Sequence, residues 1–144
     1  MKRSLTALSI AVPLMLLVAS PALAQQRGGP GQRANRLFDP GTIETVTGVI
    51  VGIDSVQSPR GRSIGLHLQL QTEAMTLPVH LGPTWFLADQ SFAFQMGDSL
   101  AVRGSRVTMD KAPALIAVEV RRGDQSLRLR DESGRPQWRP RRQR

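Results

Sequence analysis

The stretch IGLHLQLQTEAMTLPVHLGPTWFL, Ile64 to Leu87, decides how this chain folds. Leu66, Leu68 and Leu70 alternate with His67, Gln69 and Gln71, and Met75, Leu77, Val79 and Leu81 alternate with Thr76, Pro78 and His80. A period of two marks strands with one buried face, so Ile64 to Gln71 and Met75 to Leu81 are predicted to form a hairpin. Apolar facing apolar sets Leu66, Leu68 and Leu70 opposite Leu81, Val79 and Leu77, with the turn centred on Glu73-Ala74. The same register puts His67 directly opposite His80 on the outer face. Gly82 and Pro83 then end the strand, and TWFLADQ reads as a short helix with Pro83 at its first position, where the missing N–H costs nothing. Trp85 or Phe86 is the expected apolar plug.

Working outward, Thr45 to Ile53 is β-branched and punctuated by Gly48 and Gly52, which suits a long first strand that bends sharply. After the helix, Phe92 and Phe94 read as core. Gly97-Asp98 turns the chain into SLAVRGSRVTM, with Leu100 and Val102 inward and Arg103 outward. Asp110-Lys111 turns it into ALIAVEV, with Ile116, Val118 and Val120 on one face. Gly123-Asp124 leads into SLRLRD, where Leu127 and Leu129 alternate with Arg128 and Arg130. Three strands, a short helix and two or three more strands predict an all-β fold, a small five- to six-stranded barrel of the oligonucleotide/oligosaccharide-binding (OB) type, with the helix between strands 3 and 4. A small open β-sandwich is the alternative. Trp138 is expected to fold back as an apolar anchor.

The ends read differently. Residues 1–24 carry Lys2 and Arg3, an apolar stretch broken by Pro13, and Ala22-Leu23-Ala24, the pattern of a signal peptide cleaved after Ala24. A periplasmic or secreted location follows, with no transmembrane span left after cleavage; a retained anchor is the alternative. Residues 25–36, rich in Gly, Gln and Arg, read as a flexible leader, residues 37–138 as the barrel domain and residues 139–144 as a basic tail. The net charge of +8 belongs to these ends, because Leu37 to Gly134 holds nine basic residues against all eleven acidic ones. The absence of cysteine excludes disulfides, lipoprotein attachment, covalent c-type haem and thiol chemistry.

No catalytic or cofactor motif stands out: there is no G-x-S-x-G elbow, no H-E-x-x-H and no phosphate-binding glycine loop, so the chain reads as a non-enzyme. A divalent metal on His67 and His80 is the one cofactor these residues suggest, since opposed strand residues have Cβ atoms about 5 Å apart. Arg139, Arg141, Arg142 and Arg144 are the candidate polyanion contacts. Sequence-specific nucleic-acid binding is not expected, because the outer face of strands 2 and 3 has no Phe, Trp, Tyr, Lys or Arg. A protein or envelope component is the expected partner, and a periplasmic, non-catalytic binding or accessory module the expected function. Metal-ion handling (iron, copper or zinc) by the His pair and polyanion binding by the tail are the alternatives.

The segments VHLGP-x-W, GSRVT, PALIA and LRD-x-x-G-x-P-x-W resemble the domain shared by the magnetosome proteins MamS and MamX, and the likeness spans most of Thr45 to Trp138. The resemblance implies an OB-like barrel in an exported bacterial protein and a part in crystal maturation or iron redox handling. The chain lacks the CxxCH haem motif of some such proteins, which counts against direct electron transfer.

Overall fold

A computed structural model describes residues 30–58, 61 and 63–138. The strands are β1 (Ile43–Gln57), β2 (Ile64–Gln71), β3 (Thr76–Pro83), β4 (Ser99–Met109), β5 (Ala112–Arg122) and β6 (Gln125–Arg128). Helix α1 (Pro30–Leu37) precedes them and α2 (Thr84–Ala88) lies between β3 and β4. The strands hydrogen-bond in the order β3-β2-β1-β4-β5-β6, and a parallel pairing of β3 with β5 closes the first five into a barrel. This is the barrel the strand order predicts, with β6 as the extra strand.

The hairpin register holds at Leu68↔Val79, Leu70↔Leu77 and His67↔His80. Leu66, however, pairs with Gly82 rather than with Leu81, which is the extra residue of a bulge. The sharp bend in β1 is likewise a bulge, at Val51 between Ile50 and Gly52. A third bulge corrects the reading of β5: Gly104 pairs with Ala117 and Arg103 with Glu119, leaving Val118 unpaired. One extra residue flips every side chain beyond it. Leu115, Ala117 and Val120 therefore share the core, while Ile116 turns outward into a separate cluster.

That outward cluster explains the largest departure from expectation. Residues 25–36 are corrected from Pro30 onward: Pro30–Leu37 is helical, and Ala34 is buried against Val107, Ala114 and Ile116. Covering an outward Ile contributes roughly 1.5–3 kcal/mol, enough to recruit a segment that looks polar by itself. Regular structure packed on the barrel thus reaches back into the segment read as a leader. Phe38 continues the contact toward the other end of the described chain, where its ring occupies the space a Cβ at Gly134 would need. Gly134 also has φ of +85°, a left-handed conformation that favours glycine.

The plug is corrected too. Leu87 is the buried side chain of α2; Phe86 packs half-buried against the core and Trp85 is half-exposed. Pro83 is the last residue of β3 and the N-cap of α2 rather than its first helical residue. Phe92 and Phe94 do join the core, from an irregular segment rather than a strand. Arg122 ties that segment down by bonding Asp98 at 2.8 Å and lying 4.6 Å above the Phe92 ring.

Candidate functional site

The side chains that alternate with the β2 and β3 core face outward and form rows with β1. Asp54, His67 and His80 are neighbours on three adjacent strands. In the next row Gln69 donates to the Asp54 carboxylate at 3.1 Å, and farther along Thr76 donates to the Gln71 amide oxygen at 2.6 Å. The structure brings His67 and His80 together as the register requires, with ring centres 4.0 Å apart and planes tilted by 56°. Among the described residues neither ring makes a hydrogen bond.

Both imidazoles are held neutral at pH 7. Burial pushes the His80 pKa down to about 4, helped by His67 and by the positive charge of Arg130. Burial also lowers His67, with the Asp54 carboxylate opposing the shift. A neutral imidazole has a free lone pair on one nitrogen and a donor on the other, so the pair can ligate a metal ion or accept and donate hydrogen bonds. Among the described residues there is no group of three or more His, Cys, Asp or Glu able to hold a metal ion.

Arg130 was legible only as an outward residue, and this is corrected: it is 2 % exposed. Its guanidinium donates to the carbonyls of Leu81 at 2.9 Å and Ala117 at 2.6 Å, while its Nε is buried without a partner. The cause lies in the seam between β3 and β5, where pairing runs only through Val79↔Leu115 and His80↔Ile116. At the next position the bulges at Leu81 and Val118 interrupt the ladder, and buried carbonyls there need donors. The Arg130 side chain supplies two hydrogen bonds, and the Val118 carbonyl accepts from the N–H groups of both Leu129 and Arg130. Burial lowers the Arg130 pKa to about 10, so it stays charged at neutral pH.

Trp138 folds back as expected. Its ring lies 4.8 Å from the Arg130 guanidinium and 5.4 Å from Phe86. Gly82 makes this approach possible, because a Cβ there would sit 2.7 Å from the indole. The signal for Arg130 was present only indirectly, in the Gly134-Arg135-Pro136 turn that returns Trp138 over it. Arg139, Arg141, Arg142, Arg144 and the signal-like residues 1–24 lie outside the described residues.

No match was found among curated proteins. The model of the MamS/MamX magnetosome protein family matches residues 42–127, from the start of the barrel to β6 and short of Arg130. With more than half of its length matched, and with the barrel that the resemblance implied, the chain belongs to the MamS/MamX magnetosome protein family.

Proposed function

We propose that the chain is an exported, non-catalytic accessory domain that binds a protein, an envelope component or a small ligand through the outer face of β1, β2 and β3. The observation that carries this reading is the unequal treatment of the barrel's outer surface. Helix α1 roofs β4 and β5, whereas the row Asp54, His67 and His80 has no described helix over it and presents two imidazoles that make no hydrogen bond among the described residues. Partly exposed neutral imidazoles can both accept and donate hydrogen bonds, which suits them to a ligand. Membership of a magnetosome protein family supports an accessory role beside the magnetosome.

A photo-crosslinking amino acid placed at Gln71 or Asp54 in cells of the native host should yield discrete adducts, and one at Arg36 on α1 should not. Equal labelling at all three positions, or none at the two strand positions, would overturn the assignment. Export predicts that the purified periplasmic protein begins at Gln25; a mature protein retaining Met1 would contradict it. The opposed imidazoles favour a second reading, metal-ion handling, because imidazole suits zinc, copper, iron and nickel.

A further inference from the structure

We infer that His67 and His80 form an open two-imidazole site for one divalent transition ion of the zinc or copper(II) type, carried in with its own ligands as a chelate. This deepens the binding role of the β1–β2–β3 face and rests on that face being accessible.

The two residues are directly opposite each other on paired strands, so the backbone itself fixes their spacing. A tetrahedral ion with metal–nitrogen distances of 2.0–2.1 Å requires the two nitrogens to be about 3.3 Å apart. With ring centres 4.0 Å apart the imidazoles already lie near that spacing, and side-chain rotation is the movement asked of them. Such rotation breaks no hydrogen bond to a described residue. Beside His67 the next outward position of β2 is Gly65, whose missing side chain leaves room; a Cβ there would lie 3.7 Å from His67 Nε2.

The rest of the coordination shell decides the ligand class. Among the described residues no third His, Cys, Asp or Glu joins the pair in a metal-holding group, so at least two positions of a four-coordinate ion face outward. Two neighbouring charges also bear on the site. Asp54, beside His67, attracts a cation, although Gln69 donates to its carboxylate. Arg130, behind His80, repels one and cannot be displaced without opening the β3–β5 seam. An ion that keeps anionic ligands carries less net charge, so it escapes most of that repulsion while filling the open positions.

The probe is copper(II) iminodiacetate, a neutral chelate with positions left for imidazole, added to the purified mature protein at pH 7. One chelate per chain should bind in the micromolar range, with an electron paramagnetic resonance spectrum showing two coordinated imidazole nitrogens. His67→Ala or His80→Ala should each weaken binding at least tenfold and leave a one-nitrogen spectrum. His80→Gln, with near-ultraviolet circular dichroism as a fold check, provides the same comparison if an alanine variant unfolds. Binding unchanged in the double variant, or a spectrum without two imidazoles, would overturn the inference. If the chelate fails while crosslinks at Gln71 persist, the ion site falls and the binding face stands.

Discussion

One ring of outward positions runs around the barrel in register, from Asp54 through His67, His80, Ile116 and Ser105 to Ile43, beginning and ending on β1. Its two halves are finished in opposite ways. Ile116 lies under α1, and the Ser105 hydroxyl is engaged by the Asp39 N–H at 3.0 Å and by Thr42 at 2.9 Å, so both are fully buried. Across the seam His80 and His67 keep partial exposure and Asp54 is exposed. In this barrel "outward" does not mean "wet". The covered half is stabilised by burial, whereas the open half retains chemistry. Arg130 lies where the halves meet, its guanidinium joining β3 to β5.

The largest loss is expected at that junction. Arg130→Ala removes a donor from each of the Leu81 and Ala117 carbonyls, and at 1–3 kcal/mol for each buried group the loss should be roughly 2–6 kcal/mol by urea denaturation. Arg128→Ala, two residues away and exposed, should change stability by no more than about 0.5 kcal/mol. Equal effects would remove the distinction between the two arginines.

Ala34→Glu attacks the covered half alone. A carboxylate forced against Ile116 should undock α1 and cost about 1–3 kcal/mol, while the His67 and His80 NMR signals stay in place. Movement of those signals would show the halves to be coupled. Gly134→Ala should cost about 1–3 kcal/mol, from a left-handed backbone and displacement of the Phe38 ring, with increased proteolysis near Phe38 as its signature.

The effect in the open half depends on pH. The folded-state pKa of His80, about 4, lies below its ordinary value of 6.5, so the unfolded chain binds more protons between these values. Stability from this neutral imidazole is fully present above pH 6.5 and is lost as pH falls toward 4, with His67 acting in the same direction. His80→Gln should flatten the stability profile in that window and leave it unchanged at pH 8; an unaltered slope would argue against a buried neutral His80.

Much of this was legible in sequence because alternation and turn chemistry act locally. The hairpin register, and with it the His67–His80 encounter, followed from matching Leu68 and Leu70 to Val79 and Leu77. The turn at Asp110-Lys111 was marked by residue type, and both residues adopt positive φ, at 48° and 68°. What escaped depends on partners distant in the chain. The bulge at Val118 is set by pairing with β4, so no count along β5 reveals that Ile116 points away from Val120. Helix α1 is held through Ala34 against that same misread Ile116, and the polar residues around it conceal the contact. Arg130 sits at an outward phase of SLRLRD, but β6 ends at Arg128 and the alternation no longer governs it.

The guanidinium clasp also has a kinetic meaning. Arg130 reaches a carbonyl 49 residues earlier in the chain and another 13 residues earlier, so both bulged strands must be in place before its bonds can form. Contacts of such separation are expected to close late in folding, after the β1–β2–β3 meander has condensed from contacts between chain neighbours. An interaction absent from the transition state slows unfolding without hastening folding. On that expectation Arg130 is a brake on opening: in a chevron experiment Arg130→Ala should shorten the native lifetime while the refolding arm barely moves.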